Sequence, residues 1–137
     1  MPPDSDLPNA PGAAFAHGND RGVLSTRISD AMVHLYKDLF GRGPTRVRSH
    51  FVGRDMLICV LQDTFTPAER SMAEMGEHHR LRDMRMFFQY ASEDQFKEIV
   101  EDILDRRVTS FVSGIDTKTD MAIEVFVMDN ARPEPVS

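Results

Sequence analysis

Apolar side chains recur along this chain at two alternating periods, and the alternation predicts its elements. Over Leu24, Ile28, Ala31, Met32, Leu35 and Leu39 the interval is mostly three or four residues, the signature of a helix with one buried stripe. Gly41 then supplies a left-handed cap, and Pro44 blocks resumption of the helix. From Arg46 to Val52 the period falls to two. Val47, Ser49 and Phe51 lie on one side and Arg46, Arg48 and His50 on the other, which predicts a half-exposed strand. Gly53-Arg54-Asp55 suits a hairpin turn, and the continuous apolar run from Met56 to Leu61 suits a buried partner strand.

Thr66-Pro67-Ala68-Glu69 marks a helix start: threonine caps, proline takes the first helical position, and glutamate completes a capping box. The chain to about Arg106 reads as helical, weakened at Gly76. Ser92-Glu93-Asp94-Gln95 resembles a second capping box, which would place a break near Ala91. The apolar stripe Met84, Phe87, Phe88, Ala91, Phe96 and Ile99 nevertheless runs through that point. One long helix from about Leu81, at most kinked, is therefore expected, with that stripe facing the core. Val108 to Ser113 reads as a strand, Gly114 to Thr119 as a polar loop and Met121 to Met128 as a last strand. There Met121, Ile123, Val125 and Val127 face one way and Ala122, Glu124, Phe126 and Met128 the other.

The strand pairs resemble each other. Arg46-Val47-Arg48-Ser49 followed by Asp55-Met56-Leu57-Ile58 has a counterpart in Arg107-Val108-Thr109-Ser110 followed by Asp120-Met121-Ala122-Ile123. Duplication would produce this, and so would the suitability of Val, Ile and Met for buried strands. The expected architecture is α+β: an antiparallel four-stranded sheet from two helix-plus-hairpin halves, with helices packed on one face. Residues 1–20 hold four of the eight prolines and few large apolar groups, so a disordered leader is expected there. Residues 21–130 form the single domain and 131–137 a loose tail.

Charge narrows the partners. A net charge of −6 over 137 residues lacks the basic surface that nucleic acid binding requires. No apolar stretch approaches the roughly 20 residues that span a bilayer, so direct membrane insertion is not expected. The N-terminus does not read as a signal peptide, and the single cysteine, Cys59, precludes an internal disulfide. A cytoplasmic, reducing setting follows. Cys59 itself lies in an apolar run and reads as a small buried hydrophobe.

Within this acidic chain one stretch is basic. Arg42, Arg46, Arg48, His50 and Arg54 precede the first nearby acid, Asp55. Such a strip can be a solvated sheet face, a dock for an acidic partner or lipid headgroups, or a small-anion site. Gly41-Arg42-Gly43-Pro44 follows a helix instead of opening one, so it reads as cap and turn more readily than as a phosphate loop. The later helical segment is basic early (His78, His79, Arg80, Arg82, Arg85) and acidic late (Glu93, Asp94, Glu98, Glu101, Asp102, Asp105), against the helix dipole. A solvated face accommodates that polarity, and an antiparallel homodimer would exploit it. Met72, Met75, Met84 and Met86 with Phe87 and Phe88 read as core, wide enough to suggest dimerisation as well. His78 and His79 are adjacent and diverge on a helix, His79 and Asp83 lack a third metal donor, and no nucleophile sits beside an assignable base. No metal, no cofactor and no catalysis is expected.

Several segments carry a family resemblance: Ile28 to Lys37, Phe40-Gly41-Arg42-Gly43-Pro44-Thr45, Cys59-Val60-Leu61 running on to Thr64, Thr66-Pro67-Ala68-Glu69-Arg70, Arg106-Arg107-Val108 and Ala122 to Val127. Over residues 24 to 130 the chain resembles the bacterial MpsC family, a component of a sodium-translocating, membrane-potential-generating system. The resemblance implies a small accessory or regulatory protein acting from the cytoplasm on a membrane inorganic-carbon or cation transport system, and it carries over no catalytic residues. A homodimer docking through Arg42, Gly43, Arg46, Arg48, His50 and Arg54 is the expected form. The alternative is a dimeric sensor binding a small anion or nucleotide near Arg42.

Overall fold

A computed structural model describes residues 18–129. Four helices and four strands follow one another as α1 (Gly18–Phe40), β1 (Arg46–Val52), β2 (Met56–Gln62), α2 (Pro67–Glu74), α3 (His78–Ala91), α4 (Glu93–Leu104), β3 (Val108–Asp116) and β4 (Met121–Met128). The strands form one antiparallel sheet in the order β1-β2-β4-β3, so the α+β architecture holds. The leader up to residue 17 and the tail from residue 130 lie outside the described residues. α1 already begins at Gly18, within the stretch expected as leader.

Local chemistry sets the boundaries. Gly41 takes φ +77 and its amide returns to the Lys37 carbonyl, ending α1. The Thr66 capping box forms in both directions, with Pro67 opening α2. The single long helix expected from about Leu81 is instead two. Gly76, at φ +80, ends the α2 segment, and α3 and α4 separate at Ser92, whose side chain makes no cap bond. The division makes Glu93 and Asp94 the first turn of a new helix, where the dipole favours acids. At the far end the carboxylate of Glu101 accepts the amide of Val108, fixing the entry into β3. β3 also runs on to Asp116, past the loop expected from Gly114.

Register gives the sheet a local twofold. β2 and β4 pair with Cys59 opposite Glu124, Leu57 opposite Phe126 and Leu61 opposite Ala122. The repeat that aligns Met56-Leu57-Ile58 with Met121-Ala122-Ile123 makes Cys59 the counterpart of Glu124, so that pair lies on the axis. Ser49 pairs with Cys59 and Ser113 with Glu124, making Ser49 the counterpart of Ser113. The match of Ser49 to Ser110 in the sequence is therefore three residues out of register. The central strands carry the repeat in phase, and the edge strands do not.

All the helix packing in the buried core falls on one face of the sheet. Ile28, Met32 and Tyr36 of α1 meet Phe96 and Val100 of α4 over Leu57 and Phe126, all fully buried. Phe111 stacks on Phe96 and tilts against Phe126, filling the end of the core towards β3.

Candidate functional site

The six expected binding residues fall into three places. Arg46, Arg48 and His50 share the outer face of β1 and are exposed. Arg54 sits in the β1–β2 turn, about 20 Å from Arg46 at the strand's rise per residue. Arg42 lies at the other end, in the loop before β1, and its guanidinium is committed. It donates to the carboxylate of Asp63 (3.1 Å), the Asp63 carbonyl (3.0 Å) and the Phe65 carbonyl (2.5 Å). Asp63 also receives Arg70 at 3.0 Å. Hydrogen bonds from Arg42 first, then Arg70, hold its carboxyl below the ordinary carboxylate value. Gly43 lies so close to α1 that a Cβ there would press on Val33 at 3.2 Å. An open cleft of about 350 Å³ lined by Arg42, Arg70 and Glu74 adjoins this cluster. An anion entering it would compete with Asp63 for Arg42 and Arg70.

The strongest electrostatic organisation lies inside, at residues that no local pattern marks as a site. Across the inner face of the sheet runs a polar row, Ser49–Cys59–Glu124–Ser113, with Val47–Leu61–Ala122–Ile115 on one side and Phe51–Leu57–Phe126–Phe111 on the other. Helices supply its partners. Tyr36 Oη donates to Glu124 Oε2 at 2.5 Å, and Gln89 Nε2 donates to the same oxygen at 3.1 Å and to Ser113 Oγ. Ser29 of α1 meets Ser49 at 2.7 Å. The Arg85 guanidinium, fully buried, lies over the Phe40 ring at 4.1 Å and near the Tyr36 ring at 5.8 Å. It donates to Glu69 Oε1 (3.2 Å) and Thr64 Oγ1 (3.3 Å). Thr64 in turn bonds the Asp120 carboxylate, which also takes the Phe65 amide. Glu69 thus serves twice, in the α2 capping box and as counter-ion to Arg85.

Burial dominates the titration of this row. It pushes the Glu124 carboxyl up to about 7, against the lowering effects of Ser113, Tyr36 and Arg85. Burial raises Tyr36 well above its usual value and pushes the Cys59 thiol up to about 12. Glu124 can therefore hold a proton near neutrality. It is fully buried, so no substrate reaches it. The signal in the sequence was a lone glutamate alternating with Ala122, Phe126 and Met128. Arg85 and Gln89, one helical turn apart, gave a second.

Putting this row inside reverses one expected face and decides another that the strand pattern left open. In α3 the core side is Leu81, Arg85 and Gln89, whereas Phe87 is 69% and Phe88 47% exposed. The aromatic stripe expected in the core thus faces outward over α3, because the core side must serve Glu124 and Glu69. In the sheet, the face bearing Ile58, Val60, Ile123 and Val125 turns away from the helices.

Among the described residues no three His, Cys, Asp or Glu side chains converge as metal ligands, and no helix is long and apolar enough to cross a membrane. His78, considered as a ligand, meets Thr117 Oγ1 at 2.8 Å.

Comparison with known proteins adds a family. The model of the family described as "Na+-translocating membrane potential-generating system (MpsC)" matches residues 20–130. Two proteins of Bacillus subtilis (strain 168) are similar, both named only as uncharacterized. YbcI is 27% identical over 111 residues, covering 80% of this chain and 89% of its own. YrhF is 27% identical over 106 residues, covering 74% and 84%. No solved structure matches.

Proposed function

The chain belongs to the MpsC family, and from that premise we propose a non-catalytic, cytoplasmic, homodimeric accessory protein that docks on a membrane inorganic-carbon or cation transport system. The observation that carries the docking is the row Arg46, Arg48 and His50, exposed on an edge strand of a protein with net charge −6. Clustered cations on an acidic molecule orient it towards an acidic partner and exclude other approaches. The family name concerns sodium translocation, and no described helix can span a bilayer. Work at a membrane would then fall to a partner protein, with this one acting on it.

Affinity capture from native cells tests the reading, comparing wild type with Arg48→Glu/Arg54→Glu. Both side chains lie on the surface, so the melting temperature should hold. A membrane transport protein retained by wild type and lost by the variant is the expected result. Equal capture by both, or recovery of this chain alone, would sink the docking. The small-anion alternative centres on the Arg42 cleft, and a thermal shift with a metabolite panel separates it: a ligand at 100 times its dissociation constant stabilises by about 2.7 kcal/mol.

A further inference from the structure

The outer face of the sheet lies opposite the helices, and no described element packs on it. Its centre is built of Met56, Ile58 and Val60 on β2 beside Ile123, Val125 and Val127 on β4. On the edge strands Val52 is 47% and Val112 56% exposed. A contiguous apolar sheet face of this kind marks an interaction site on a soluble protein. It also matches one half of a β-sandwich, in which two sheets stack about 10 Å apart with strands nearly aligned.

We propose that this face is covered by the same face of a second copy, related by a twofold axis parallel to the strands. Charge decides both the occupant and the axis. One edge strand carries Arg46, Arg48 and His50 outward, and the other carries Ser110, Val112, Gly114 and Asp116. In the register, Arg46 stands in the same cross-strand row as Asp116, with Gln62 and Met121 between them. Rotation about an axis parallel to the strands lays β1 of one copy over β3 of the other, row on row. Arg46 then meets Asp116 of its mate, and Arg48 lies over Gly114, where no side chain stands in the way. A twofold perpendicular to the strands would lay β1 on β1, arginine strip against arginine strip, a like-charge contact that costs several kcal/mol. The face is therefore self-complementary in one orientation only. Residues 1–17 hold few large apolar side chains besides Leu7 and Phe15. Arg48 and His50 remain at the rim of the sandwich, where long side chains keep their heads in water. The inference deepens the homodimeric part of the reading above: it takes Arg46 into the dimer contact and leaves Arg48 and His50, at the rim, to the docking partner.

Sedimentation velocity on the full-length chain tests it, using Val125→Lys, Phe87→Lys, Arg46→Glu, Asp116→Arg and the Arg46→Glu/Asp116→Arg pair, with circular dichroism as the check on folding. Wild type should be a dimer. A lysine in the centre of the face should raise the dissociation constant at least about a hundredfold, because it desolvates an unpaired ammonium. Phe87→Lys, on the exposed side of α3, should leave the dimer intact. Arg46→Glu and Asp116→Arg should each weaken it, and their combination should recover affinity over either alone. A monomeric wild type overturns the homodimer altogether. A dimer that survives Val125→Lys, or is lost with Phe87→Lys, overturns this interface and leaves the homodimer standing.

Discussion

The inner and outer faces of the sheet carry opposite chemistry at matched positions. Inside, the central row is Ser49–Cys59–Glu124–Ser113; outside, the neighbouring row is His50–Ile58–Val125–Val112. The polar row is sealed beneath α1, α3 and α4, and the apolar row is not covered by any described element. Burial here follows the supply of partners. Tyr36 and Gln89 bring donors to Glu124 in the inner row, so its carboxylate can be enclosed; no helix brings anything to the outer row. A half-satisfied buried carboxylate is costly, and that makes the inner row demand one particular arrangement of α1, α3 and the sheet. The outer row makes no such demand and is open to a second sheet.

The largest expected effect breaks the inner network at its cation. Arg85→Met removes the guanidinium and leaves Glu69 buried without its counter-ion, at a cost of about 3–5 kcal/mol in urea unfolding. A loss under about 1 kcal/mol would mean that α3 is held by its apolar contacts alone.

Glu124→Gln tests the same row through pH. Desolvation raises the folded-state value to about 7 from 4.5, so the folded state keeps its proton longer than the unfolded chain. The contribution is complete below about pH 4.5 and is lost as pH rises through about 7, amounting to about 3 kcal/mol. Unfolding free energies at pH 5 and pH 8 should therefore differ less in Glu124→Gln than in wild type, and the variant should match or exceed wild type at pH 8. Asp63 acts with the opposite sign, lost only as pH falls through its depressed value, and does not enter this window. An unchanged pH profile in the variant would remove Glu124 as the titrating group.

On the outer face the chain itself should barely respond. Val112→Thr, at protein concentrations low enough to keep the chain monomeric, should change its unfolding free energy by no more than about 0.5 kcal/mol. Cys59 supplies the kinetic counterpart for the interior. With its thiol buried and pushed up to about 12, native protein at pH 8 should resist alkylation that the urea-unfolded chain undergoes readily. Rapid labelling of native protein would show that the inner row opens to solvent.

The elements were legible because their signals are local. Helical and strand periods, the Thr66 capping box, the Gly41 cap and the Gly53-Arg54-Asp55 turn each act within a few residues, and the structure keeps them. The exposed strip Arg46, Arg48 and His50 was legible for the same reason, since alternation places all three on one side. Arg42 was not, because its partners Asp63 and Phe65 come from the loop after β2. The break at Ser92 was signalled by Glu93 and Asp94 and overruled by an apolar stripe that proved to face outward along α3.

Most strand and helix positions and the four-stranded α+β architecture can be read from the residues in order, because periodicity and capping are properties of neighbouring residues. For α3 and the central strands β2 and β4, which face lies inside is settled by contacts between distant elements. Tyr36 reaches Glu124 across 88 positions and Gln89 across 35. A buried charge is tolerable only when such distant donors arrive together, and no local pattern announces that they will.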